Sequence, residues 1–239
     1  MFTEDLFFDV DDQRLAATMI FAENRRTPSI AHLHGLGATA SRHTVRYFLD
    51  EFADRGHGSL TFEYSGNGDS TGVMEQSCLR RRTAESLAAV AQLSTDERPL
   101  LIGSSMGAHL ACSIVPKVSP RGLVLFVPAA YPRGAEDLLF DEGRARPGNY
   151  ADNPAFTGLR EFDGDLLIVA GKTDQVVPAD VVDGYLDNAT NARSAEVIWL
   201  DCDHFVHRWL PFEETAKTDV LTAMLRVISV DQAEGNSSW

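Results

Sequence analysis

The sequence predicts an α/β fold: a mostly parallel sheet of eight strands, helices on both faces and a short cap after the sixth strand. Three observations carry this reading. Short apolar runs alternate with helical stretches from residue 29 to residue 229, a serine flanked by glycines stands between one run and the next helix, and an acid and a histidine follow later runs. Alternation of this kind is expected when parallel strands are joined by crossover helices.

Taken in order, residues 6–10 and 15–22 are strand-like runs joined by Asp11-Asp12-Gln13, which suits an antiparallel hairpin. Parallel strands are expected over 29–34, 59–64, 99–103, 122–128, 166–171 and 196–200. Helices are expected over 41–55, 77–94, 106–117, 179–189 and 213–229. The stretch 129–165 breaks the alternation, being rich in Gly, Pro and charge with weak periodicity around 135–140, and reads as a cap over about 130–165. The chain reads as a single domain, 1–239, with a flexible tail at about 231–239. Its 239 residues are ample for one core.

Hydrophobic residues at 44% and charged residues at 23% are ordinary for a globular protein. A formal charge of -14 argues against nucleic acid or an anionic membrane surface as partner, because both need basic patches. The acids are spread along the chain, so they imply no cationic substrate. Cys78, Cys112 and Cys202 lack metal or redox spacing and read as thiols in a reducing compartment, which makes the cytoplasm the expected location. The acidic start, Met1 to Leu6, has no leader pattern, and no apolar run is long enough to cross a bilayer. Oligomeric state leaves no signal here.

The chemistry is concentrated at strand ends. Gly103-Ser104-Ser105-Met106-Gly107 follows the apolar run 99–102 and precedes a small-residue helical stretch, giving strand, G-x-S-x-G, helix. A serine hydroxyl is a poor nucleophile until a sharp turn exposes it and a base takes its proton. Spacing between the two glycines selects Ser105 over its neighbour Ser104, and a side chain at either glycine would collide as the chain doubles back. Asp174 follows the run 165–171, and His204 follows the run 196–200. That places serine, acid and histidine in the order of a nucleophile-elbow hydrolase, with His204 as base and Asp174 fixing its tautomer. His32-Leu33-His34-Gly35-Leu36-Gly37 ends another run, and the backbone N–H groups of Leu36 and Met106 are the candidate oxyanion donors.

These motifs together resemble the α/β-hydrolase superfamily, specifically its serine esterase and thioesterase branch. The matching pieces are His34 to Gly37, Phe62 to Ser70, the elbow, Gly171 to Asp174 with Val177-Pro178, and Asp203 to Phe205. The resemblance covers most of the chain and implies a cofactor-independent, metal-independent enzyme that cleaves a small-molecule acyl ester or thioester through an acyl-enzyme on Ser105. Acyl transfer or lactone formation by the same acyl-enzyme is the alternative, and a non-catalytic ligand-binding module is the reading from another class.

Other features have plainer explanations. His34 reads as scaffold, His32 and His109 as packing or polar contacts, and His207 as facing solvent or a neighbour, one helical turn beyond His204. Asp201-x-Asp203-His204-x-x-His207 could tempt a metal reading, but no partner cluster is evident. Gly66-x-Gly68-x-x-x-Gly72 lacks dinucleotide-loop spacing and reads as a tight surface loop, and Arg80-Arg81-Arg82 as a solvated helix face. Tyr131, Phe140, Tyr150 and Phe156 are candidates for a pocket wall, or else aromatics holding the cap to its own domain.

Overall fold

The computed structural model describes residues 1–24, 26–140 and 150–229. Strands β1 (Phe2–Val10) and β2 (Gln13–Phe21) form the expected hairpin, longer than the sequence suggested, with Asp11 at φ 52° in its turn. There follow β3 (Ile30–Leu33), α1 (Arg46–Asp54), β4 (Ser59–Phe62), α2 (Leu79–Val90) and β5 (Leu100–Ser104). Next come α3 (Met106–Ser113), α4 (Val115–Val118), β6 (Gly122–Phe126) and α5 (Pro154–Leu159). The chain continues through β7 (Asp165–Gly171), α6 (Ala179–Asn188), β8 (Ser194–Leu200), α7 (Val206–Trp209) and α8 (Glu214–Ser229). One eight-stranded sheet results, in the order β1-β2-β4-β3-β5-β6-β7-β8. β2 pairs antiparallel with β1 and β4, and every later pairing is parallel.

Every residue of β3, β5, β6 and β7 is buried, because helices cover both faces of the sheet. Alternate residues go to opposite sides. Ile102 and Val124 face α1 and α8 through Phe48, Phe52, Val220 and Met224. Leu101 and Leu123 belong to the other core, with Leu110 of α3, Leu159 of α5 and Tyr185 of α6. The stripe on α8 is regular: Val220, Ala223, Met224, Val227 and Ile228 are its buried residues, at helical period.

The structure departs from the sequence expectations at several helices. α1 starts at Arg46, after a turn in which the Ser41 amide donates to Thr44 Oγ1 (3.3 Å) and the His43 amide to Ser41 Oγ (3.1 Å). Hydroxyls there compete with helical bonds. The single helix expected over 106–117 is two, since Pro116 has no N–H for the Cys112 carbonyl. That carbonyl instead packs on Gly158. The cap contains α5, capped by the Asn153 side chain accepting from the Phe156 amide (3.0 Å), with Pro154 opening the helix. Part of the expected cap, residues 141–149, and the expected tail lie outside the described residues. No helix among the described residues is long and apolar enough to cross a membrane.

The arginine run is also corrected. Arg80 and Arg81 pair with Asp137 (2.5 Å) and Asp12 (2.9 Å) on the surface, but Arg82 is fully buried. Its guanidinium donates to Glu85 Oε2 (3.0 Å) and Ser65 Oγ (3.3 Å) and lies over the Tyr64 and Phe140 rings. Burial lowers the Arg82 pKa from its ordinary value, and the Glu85 carboxylate is the main group that offsets the cost of the charge. Glu85→Ala should therefore destabilise the fold by about 3–5 kcal/mol, whereas Arg82→Met with Glu85→Leu should recover most of the loss. Denaturant midpoints decide this, and a single variant as stable as the wild type would contradict it.

Candidate active site

β5 delivers Ser105 to the carboxyl edge of the sheet at φ 51°, ψ -112°. A non-glycine residue in such a conformation costs on the order of 1–3 kcal/mol and persists only where its surroundings hold it. Here the Ser105 amide donates to the Phe126 carbonyl (2.9 Å), and the Ser105 carbonyl accepts from Ala108 (3.1 Å) and Ala129 (3.2 Å). The flanking glycines are a steric requirement. A β-carbon at Gly103 would lie 2.5 Å from Ala108 Cα, and one at Gly107 would enter the Leu33 carbonyl.

The loops after β7 and β8 converge on the same edge. Thr173 donates its amide to the Cys202 carbonyl (3.1 Å), and a β-carbon on Gly171 would come 2.5 Å from that same oxygen. Asp174 Oδ1 accepts from the amides of Val176 and Val177, each at 2.8 Å, which aims Oδ2 at His204 Nδ1, also at 2.8 Å. His204 Nε2 stands 3.1 Å from Ser105 Oγ. The His204 and Asp174 side chains are only 12% and 5% exposed, so water competes weakly for these bonds. With Nδ1–H donating to the carboxylate, the Nε2 lone pair is left facing the serine hydroxyl. The structure thus brings Ser105, His204 and Asp174 into one hydrogen-bonded line.

Leu36 and Met106 flank that line. Neither backbone N–H donates to a protein acceptor among the described residues, so both are free for a ligand oxygen. Met106 is the first residue of α3, where a helix leaves its amides unsatisfied. Gly35 lets the Leu36 loop approach the elbow, since a β-carbon there would stand 3.3 Å from Ser105 Cβ. His34 holds the loop from below, Nδ1 donating to the Gly35 carbonyl (2.7 Å) and Nε2 accepting from the Tyr64 amide (3.1 Å). Burial pushes its pKa down to about 4, which keeps the accepting lone pair. Asn67 adds a donor to the Gly37 carbonyl (2.9 Å).

In front of Ser105 lies a cavity of about 810 Å3. Tyr131, Phe140, Tyr150 and Phe156, the aromatic candidates from the sequence, all line it. Leu138, Val176 and Val181 do so too and were not singled out, since isolated aliphatics in loops carry no pattern. Among the described residues, Asp180 and His204 are its ionisable side chains apart from the tyrosines, and none of those lining it is a lysine or arginine. The ligand types that suggested a metal are otherwise engaged: Asp201 holds Lys172 (2.7 Å), Asp203 accepts from the Phe205 amide (2.8 Å), and His207 bonds to Ser104 and Tyr47.

Residues 30–167 match the model of the Alpha/beta hydrolase family, which is more than half of the chain. The chain belongs to the alpha/beta hydrolase family. Solved structures agree on the alpha/beta hydrolase fold. A serine hydrolase involved in carbazole degradation, the CarC enzyme, is 17% identical with a TM-score of 0.69, the match covering 95% of this chain and 99% of that one. The thioesterase domain from the curacin biosynthetic pathway is 14% identical at a TM-score of 0.68, covering 94% and 100%. Est1E from Butyrivibrio proteoclasticus, solved with ferulic acid, is 18% identical at a TM-score of 0.69, covering 94% and 99%. No curated protein matches the sequence.

Proposed function

We propose that this alpha/beta hydrolase cleaves an uncharged carboxylic ester or thioester through an acyl-enzyme on Ser105. The observation that carries the proposal is the unbroken line from Asp174 through His204 to Ser105, 2.8 Å and 3.1 Å, at a serine held at positive φ. His204 Nε2 takes the proton as Ser105 Oγ attacks the acyl carbon, and the carbonyl oxygen becomes an oxyanion between the amides of Leu36 and Met106. Collapse expels the alcohol or thiol, which receives the proton from His204. Water, deprotonated by the same imidazole, then attacks the acyl-enzyme and releases the acid. Asp174 keeps the imidazole in its productive tautomer and stabilises the cation.

Charge and shape narrow the substrate. Among the described residues the lining is mostly apolar and its non-catalytic charge is Asp180, which supports neutral acyl groups over carboxylates or phosphates. Arg80, Arg81 and Arg82 each already hold a carboxylate, which weakens the case for a phosphate-bearing carrier. The rim residues Leu36, Val176 and Phe205 are exposed, so water has a path to the acyl-enzyme, which supports hydrolysis over transfer.

The test is turnover of p-nitrophenyl esters and acyl-thioesters from two to sixteen carbons. While added methylenes remain inside the cavity, kcat/KM should rise by up to about fourfold each, corresponding to ~0.8 kcal/mol per buried CH2. Rates that are flat or fall from acetate upward would overturn the apolar assignment. Stoichiometric acylation without turnover would instead favour a dedicated acceptor.

A further inference from the structure

Behind the candidate line runs a second one that the proposed chemistry does not use. Ser104, the residue before Ser105, has its hydroxyl 2.9 Å from His207 Nε2 and 3.4 Å from His32 Nε2. His207 Nδ1 is 3.0 Å from the Tyr47 hydroxyl, and His32 Nδ1 is 3.2 Å from Thr61 Oγ1. The Thr61 hydroxyl donates to the Arg42 carbonyl at 2.8 Å.

That last bond orders all the others. A hydroxyl has one proton, so Thr61, having given its proton to a carbonyl, must accept from His32 Nδ1–H. His32 is buried among Thr61, Ser104 and the sheet and is held neutral, leaving a lone pair on Nε2, which takes the Ser104 proton. The Ser104 oxygen then accepts from His207 Nε2–H, and His207 Nδ1 accepts from Tyr47. The direction Tyr47 to His207 to Ser104 to His32 to Thr61 matches every donor with an acceptor, and the reverse does not.

We propose that His207 and Ser104 are positioning residues for the nucleophile and base; this rests on the Ser105 and His204 reading above. His207 sits on α7, three residues after His204, with its ring against Phe126 at 4.6 Å between centroids. Its bond to Ser104 straps the loop that carries the base to the strand end that carries the nucleophile. The same network commits the Ser104 proton to His32, away from His204, which adds a chemical reason for Ser105 to be the reactive serine of the adjacent pair.

The test exploits the two ends of the imidazole. A glutamine at 207 places its amide N–H near the position of Nε2 and keeps the Ser104 bond, whereas an asparagine ends near Nδ1 and loses it. Measured per site titrated with a fluorophosphonate, His207→Asn and Ser104→Ala should lower kcat by about 10- to 100-fold with KM within about twofold, as expected for slight misplacement of a reacting group. His207→Gln should stay within about threefold of wild type. Equal kcat for His207→Asn and His207→Gln would overturn the positioning role while leaving the hydrolase reading intact. A wild type inert to the probe would remove both. Nitrogen NMR of the native protein supplies the independent check: His207 should be the Nε2–H tautomer and His32 the Nδ1–H tautomer, and the opposite pair would overturn the ordered network.

Discussion

Ser105→Ala should lower kcat by on the order of 10^4- to 10^6-fold while leaving KM close to the wild-type value. The hydroxyl oxygen is the atom 3.1 Å from His204 Nε2, and alanine removes it without touching Asp174, the free amides of Leu36 and Met106, or the cavity. Losing a nucleophile that acts as a unit with its base forfeits nearly all of their joint contribution, so the residue left is whatever binding and the oxyanion donors supply. The fold should tolerate the change, since alanine meets the same φ constraint as serine and keeps the backbone bonds to Phe126, Ala108 and Ala129. Steady-state kinetics on the two proteins decide it. More than about 1% residual turnover, with contamination excluded, would assign the chemistry to another group.

Acid should unfold this protein earlier than its carboxylates alone would require. Burial holds the pKa of His32 well below the ordinary imidazole value, that of His34 at about 4, and those of His109 and His207 at about 3. Each is neutral in the folded chain through a range in which an unfolded imidazole, with a pKa of about 6.5, is protonated. The unfolded state therefore binds more protons, and the stability these groups contribute is fully present above about pH 6.5 and is lost as pH falls toward the folded values. Each group contributes a slope of up to about 1.4 kcal/mol per pH unit, so four together consume a typical domain stability of about 5–15 kcal/mol within a few pH units. Burial-lowered imidazoles act first, and paired carboxylates such as Asp165, whose pKa is lowered through Arg193 and Ser194 against the effect of burial, act below them in the same direction. Denaturant melts at pH 7 and pH 5 should show a loss of several kcal/mol. His109→Gln, at a ring whose Nδ1 has no partner among the described residues, should reduce the pH slope by one group's share. Equal stability at the two pH values would contradict this.

Much of the architecture was legible because buried parallel strands are apolar over most of their length and are mostly followed by helices. β3, β5, β6 and β7 announce themselves in that way, and Gly103, Gly107 and Gly171 mark where chains approach too closely for a side chain. Ser105, Asp174 and His204 could be picked because each follows a strand, and the structure places them within hydrogen-bond reach. What was not legible depends on partners far away in sequence. Arg82 looks like surface until Glu85, Tyr64 and Phe140 close around it. His207 shows no pattern because its partners, Ser104 and Tyr47, lie 103 and 160 residues away. The helix α5 had a signal, Asn153 before Pro154, which the weak periodicity at 135–140 obscured.

The most direct measurement is covalent labelling of the native protein with a fluorophosphonate, followed by fragmentation of the peptide that carries both adjacent serines. The expected result is one equivalent of adduct on Ser105, absent from Ser105→Ala and slowed by loss of the His204 imidazole. Adduct on Ser104, or turnover of esters by a protein that takes no label, would contradict the account.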